Sequence, residues 1–128
     1  METKFYKCDR CGQIIAVVKG TGAPLVCCGE KMKELVPGSV DASQEKHVPV
    51  IIGEAGAVTV KIGSAAHPMT PEHYIEWIVL RTTLGNQRKA LTPEDAPEAR
   101  FALLDGEEII SALAYCNLHG LWEGFPEK

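Results

Sequence analysis

No stretch of the 128-residue sequence is both apolar and long enough to cross a bilayer as a helix; Ile14 to Val18 and Ile109 to Tyr115 are short or broken by polar residues. The opening METKFYKC runs into a cysteine motif without space for an apolar leader and cleavage site, so export is not expected and a cytoplasmic location is. No basic block offsets the formal net charge of -4, which argues against a nucleic-acid partner held through phosphates. Helical periodicity, internal repeats and low-complexity tracts are also missing. What remains, 45% hydrophobic and 23% charged, is the composition of a soluble globular protein.

Five cysteines are present, Cys8, Cys11, Cys27, Cys28 and Cys116, and an odd number cannot all pair within one chain. Without a secretion signal, metal ligation is the better use for them. Cys8-Asp9-Arg10-Cys11-Gly12 is a Cys-x2-Cys knuckle, and Cys27-Cys28-Gly29 follows it. Four thiolates from two turns can surround one ion, and such a shell selects iron or zinc; spacing alone leaves that choice open. The adjacent pair is unusual, because it strains the local backbone and opens the sulfur-metal-sulfur angles.

Alternation and turn residues predict an all-β chain in two parts. Residues 1–36 read as short strands around the cysteines, Lys4 to Lys7, Ile14 to Val18 and Met32 to Val36. So short a segment buries too little apolar surface to fold unaided, and a metal should staple it. Residues 37–41 read as a linker and 42–128 as a small antiparallel sandwich or barrel. Val58, Val60 and Ile62 alternate with Thr59, Lys61 and Gly63; Ile75, Trp77 and Val79 are expected on one face of the next strand. Gly85-Asn86 and Asp105-Gly106 are read as turns, and Arg100 to Leu104 and Ile109 to Cys116 as the last two clear strands.

All four histidines and the remaining cysteine fall in the second part, as His47, His67, His73, Cys116 and His119. Singly, each reads as an ordinary surface or core residue. Together they sit beside Gly or Pro in turns and at strand ends, where they can converge. Four imidazoles and a thiolate make five ligands, one too many for a structural zinc, and leave one octahedral position open. A thiolate opposite that position would push electron density toward whatever binds there. Blue copper uses a different set, and Met69 is read as core or rim.

The motifs EKHVP at 45–49, HPM at 67–69, EHYIEW at 72–77 and CNLHGLW at 116–122, with the cysteine pattern of residues 1–36, closely resemble the desulfoferrodoxin family. This is the two-domain form of superoxide reductase, and its first domain is similar to desulforedoxin. The resemblance implies a desulforedoxin-like, metal-stapled domain followed by an immunoglobulin-like sandwich of seven strands. It implies two iron ions per chain: one on Cys8, Cys11, Cys27 and Cys28, the other a ferrous catalytic centre on His47, His67, His73, His119 and Cys116. Three imidazoles would bind through Nε2 and His119 through Nδ1.

The implied activity is one-electron reduction of superoxide to hydrogen peroxide, with a rubredoxin-like electron donor, a homodimer and a part in the oxidative stress response. Lys46 would attract superoxide and Glu45 would reach the open position in the resting oxidised state, while the four-cysteine iron is expected to be mainly structural. Gln13, Ser43-Gln44 and residues 81–90 depart from the family pattern without removing a ligand. The competing readings are a non-enzymatic two-iron electron carrier, a structural protein with two zincs and a superoxide dismutase.

Overall fold

The computed structural model describes residues 3–127, and the chain divides into two compact units, Met1–Val36 and Pro37–Lys128. The first holds β1 (Lys4–Lys7), β2 (Ile14–Val17), β3 (Val26–Cys27), β4 (Glu30–Lys31) and β5 (Lys33–Glu34). Strand β1 is central, with β2 and β5 antiparallel on its two sides, while β3 and β4 form a separate hairpin that carries the cysteine pair. Most of its apolar side chains stay partly or fully exposed, and among its described residues Phe5 and Cys8 alone are buried.

The second unit opens on a one-turn helix, α1 (Gln44–His47), and continues through β6 (Pro49–Glu54), β7 (Ala57–Ile62), β8 (Ile75–Thr82), β9 (Gly85–Ala90), β10 (Glu98–Ala102), β11 (Ile109–Cys116) and β12 (Gly120–Gly124). These seven strands form two antiparallel sheets, β10-β7-β6 and β12-β11-β8-β9. One face of each supplies the core between them: Val58, Val60 and Ile62 from β7, Ala99 and Phe101 from β10, Ile78 and Leu80 from β8, Ala112, Ala114 and Cys116 from β11. In β7 the apolar residues Val58, Val60 and Ile62 alternate toward this core, whereas β11 is covered on both faces from Ser111 to Cys116. The all-β sandwich expected from the sequence is present.

Three local expectations are corrected. Strand β12 was not foreseen, because its residues belong to a segment read only for its ligands. The β8–β9 hairpin turns at Thr83-Leu84, since Thr82 already pairs with Gly85 and Arg81 with Asn86, so Gly85-Asn86 begins a strand. Ile75 also departs from the face of Trp77 and Val79. Trp77 pairs with Tyr115 and Ile75 with Cys116, so two steps along β8 match one along β11. That bulge at Glu76 returns Ile75 to the core beside Ile78 and Leu80.

Candidate metal centres

The first centre is built where two turns of the small unit face each other. The Sγ atoms of Cys8, Cys11, Cys27 and Cys28 all lie within 4.8 Å of one another, with Cys11 and Cys27 at 3.6 Å and Cys27 and Cys28 at 4.0 Å. Gly12 and Gly29, directly after the two turns, take positive φ, as does Cys28 at 54°. Cys28 is the single described non-glycine residue in that region, where a side chain crowds its own carbonyl; this is the local cost of adjacent ligands. Cys8 is lowered to about 7, chiefly by the backbone N–H of Cys11, whereas Cys27 is pushed up to about 12 by its thiol neighbours Cys11 and Cys8. Four thiolates cannot share this space without a cation. A soft divalent ion satisfies the charge, the donor type and the spacing together.

The second centre is assembled from four separate segments. His47 ends α1, His67 lies in the loop after β7, His73 lies just before β8, and Cys116 ends β11, from which a tight turn leads to His119. Two backbone devices help to bring the histidine segments together. Thr70 and His73 form an isolated antiparallel bridge, which fixes the approach to β8. Gly63, at φ 84°, lies so close to α1 that a Cβ there would meet Glu45 O at 2.7 Å and Ala65 O at 2.4 Å. With Gly63 in place, Ala65 N–H donates to Glu45 O at 3.0 Å and Gly63 N–H to Val48 O at 3.1 Å, binding the His67 loop to the His47 turn.

The four imidazoles make a square. Neighbouring ring centroids are 4.8 Å apart for His47 and His67, 4.7 Å for His67 and His73, 5.1 Å for His73 and His119, and 4.8 Å for His119 and His47. The His47–His73 diagonal is 6.5 Å, and neighbours stand edge to face at 75–86°. The ligand atoms of His47, His67, His73 and Cys116 lie within 4.8 Å of one another. His119 stands beside that group, its Nδ1 at 3.1 Å from His47 Nε2 and 3.9 Å from Cys116 Sγ. The expected set of five is thus a compact three-histidine, one-cysteine group with the fourth histidine next to it, rather than five equally gathered donors.

Two outer nitrogens fix which inner ones are offered. His47 Nδ1 is 2.6 Å from Ser43 O and His67 Nδ1 is 2.7 Å from Pro68 O, so each Nδ1 carries the proton and each Nε2 faces inward with a lone pair. The Nε2 atoms of His67 and His73 are buried with no hydrogen-bond partner. A buried imidazole nitrogen left unpaired costs free energy, and a metal ion removes that cost. Burial lowers the pKa of His47, His67 and His73, His67 to about 4, which keeps the rings neutral as ligands must be. Burial raises Cys116, while the backbone amides of Leu118 and His119 donate to its sulfur. The residues therefore fit a metal ion held by imidazole nitrogens and one thiolate.

Sequence reasoning did not single out Trp122, whose ring stacks on His47 at 5.0 Å and whose Nε1–H donates to His119 O at 2.9 Å. Nor did it foresee the carbonyls of Ser43 and Pro68, since a backbone acceptor leaves no mark in residue type. Glu45 and Lys46 are exposed on α1 beside buried His47, and the Lys46 charge reaches His47 and His73, where it helps to lower both. Met69 packs against the core and its Sδ receives the Ile75 N–H at 3.4 Å, so it is engaged away from the ligand set.

Comparison with known proteins gives a consistent answer for both units. Residues 1–35 match the family model described as the desulfoferrodoxin N-terminal domain, and residues 39–125 match the desulfoferrodoxin model. The chain is 48% identical over 118 residues to a desulfoferrodoxin homolog of Archaeoglobus fulgidus, covering 92% of this chain and 93% of the relative. It is 47% identical over 120 residues to the desulfoferrodoxin of Nitratidesulfovibrio vulgaris, covering 94% of each. Among solved structures, the superoxide reductase of Treponema pallidum superposes with a TM-score of 0.83 at 40% identity, covering 97% of this chain and 99% of that one. A one-iron superoxide reductase of Giardia intestinalis aligns over 66% of this chain and 99% of its own, at 36% identity and a TM-score of 0.56.

Proposed function

The chain belongs to the desulfoferrodoxin family, and from that premise we propose that it is a superoxide reductase acting at the histidine-cysteine centre. The observation that carries this reading is the square of four imidazoles together with the buried Cys116, whose Sγ lies within 4.8 Å of the ligand atoms of His47, His67 and His73. A carrier that only passes electrons gains nothing from a coordination position left open, so the electron-carrier reading is not favoured. Iron is the metal that the family implies, on Cys8, Cys11, Cys27 and Cys28 in the first unit and on His47, His67, His73, His119 and Cys116 in the second. Iron held at the second centre would supply the one electron by which superoxide, with two protons, becomes hydrogen peroxide.

The residues around that chemistry have separable tasks. His47, His67, His73 and His119 would hold the ion through their ring nitrogens, while the Cys116 thiolate, part of the buried core cluster, would supply negative charge. Hydrogen bonds from the Leu118 and His119 amides moderate how strongly the sulfur donates. Superoxide is an anion and the chain is net acidic, so attraction must be local, and Lys46 supplies the cation beside His47. Glu45, its neighbour on the same exposed turn, is the carboxylate that would be available as a further ligand to the oxidised ion. A small rubredoxin-like protein returns the spent electron, the active form is a homodimer, and the cytoplasm keeps the thiolates reduced.

The test is product stoichiometry in the anaerobic, reduced, iron-loaded protein. One peroxide per superoxide consumed, with little dioxygen, supports the reductase; peroxide and dioxygen in equal amounts would make it a dismutase. No acceleration of superoxide loss would sink both enzyme readings.

A further inference from the structure

The four histidines are not held in the same way. His47 and His67 each have a ring nitrogen tied to a carbonyl, of Ser43 and Pro68. Among the described residues, the ring of His73 makes no such bond, yet its Nε2 is buried in the centre. Something other than a bond to the ring must set where that imidazole stands.

The side chain of Asn117 meets the chain on both sides of His73. Its Oδ1 receives the Tyr74 N–H at 3.0 Å and its Nδ2 donates to Glu72 O at 2.9 Å. The backbone adds a third tie, Asn117 N–H to Tyr74 O at 3.3 Å. A carboxamide suits this place because it presents one acceptor and one donor side by side, and these partners allow it one orientation. An aspartate would set an oxygen against the Glu72 carbonyl, and an aliphatic residue would leave both peptide groups unpaired. Asn117 also follows Cys116 directly, so the clamp joins the His73 segment to the sulfur ligand across 43 positions of sequence.

We propose that Asn117 is the positioning residue for His73, its carboxamide fixing that imidazole relative to the Cys116 thiolate by gripping the Glu72 and Tyr74 peptides. This rests on the metal-centre reading above. The role concerns one ligand, so its loss should loosen that ligand and leave the rest of the fold in place. Loss of a hydrogen bond that orients a metal ligand typically changes metal affinity on the order of 10–100-fold.

The experiment is an anaerobic cobalt(II) titration of the metal-free protein, followed by the sulfur-to-cobalt and d–d absorption bands. The four-cysteine centre of the same molecule serves as the internal reference, since its ligands belong to the other unit. Asn117→Ala is expected to weaken the second cobalt on the order of tenfold or more, with the first unchanged. Its spectrum should move toward that of His73→Ala, and Asn117→Ala placed in the His73→Ala background should cause little further loss. Asn117→Asp, equal in size and keeping the Tyr74 contact, gives the same comparison should the alanine variant not fold. Equal losses in the two backgrounds, or an unchanged second site in Asn117→Ala, would overturn the positioning role. A wild-type protein that takes up one cobalt instead of two would overturn the metal-centre reading itself.

Discussion

The two units reach a metal centre by opposite routes. In the first, Phe5 and Cys8 are the buried residues among those described, and Cys11 and Cys28 are exposed. In the second, eleven buried residues form one cluster, and Cys116, His47 and His67 are at most 3% exposed. The small unit brings thiols together that repel when ionised, so its ion is part of its fold. The large unit has a core that stands on its own terms and spends part of it on holding rings around a point. Ligand count alone does not separate the two centres; the burial of the second centre's ligands and the carbonyls hydrogen-bonded behind His47 and His67 do.

The largest expected effect follows from removing metal. Structural ions in small domains contribute on the order of 10 kcal/mol to folding, so chelation should abolish amide-exchange protection in β1 and β2 while β7, β8 and β11 stay protected. Equal loss of protection in both units would break the contrast. Next comes the core itself: Phe101→Ala, 2% exposed in the parent, should cost the second unit about 3–5 kcal/mol by denaturant unfolding. The spectrum of the four-cysteine centre should not move.

A smaller effect concerns pH. In the metal-free second unit the folded state holds His67 neutral down to about 4, against an ordinary value of 6.5, and burial also lowers His47 and His73. The unfolded chain therefore binds protons first. Stability present above about 6.5 should be lost progressively as the pH falls toward 4, as thermal melts of the metal-free protein across that range will show. A melt that does not change there would mean that these rings are not buried in the metal-free fold. Lys46→Ala should slow oxidation of the reduced protein by superoxide about tenfold and flatten its dependence on ionic strength, read by pulse radiolysis. The smallest change is expected for Arg10→Ala, whose ion pair with Glu30 at 3.1 Å is exposed on both sides; the first unit should lose no more than about 1 kcal/mol.

Much of this was legible in the sequence because its signals are of residue type. Thiols at Cys8, Cys11, Cys27 and Cys28 and imidazoles in four motifs have few uses in common, the alternation of β7 reads directly as a buried face, and the apolar run of β11 after Asp105-Gly106 reads as a strand. What was not legible depends on backbone partners. The bulge at Glu76 breaks an alternation that the residues themselves continue, and β12 is hidden inside a motif whose cysteine and histidine draw attention first. Gly85-Asn86 carries turn residues, yet pairing across β8 and β9 places the turn before it. The carbonyls behind His47 and His67, and the two-sided grip of Asn117, are hydrogen bonds between segments far apart in sequence, and composition says nothing of them.

The most direct test of the account sets Cys11→Ser against Cys116→Ser, both reduced anaerobically with iron and given the same dose of superoxide, with hydrogen peroxide and dioxygen counted together. Cys11→Ser is expected to retain one peroxide per superoxide at close to the parent rate, while Cys116→Ser loses the acceleration. Catalysis that survives in Cys116→Ser and fails in Cys11→Ser would contradict the assignment of the reaction to the histidine-cysteine centre.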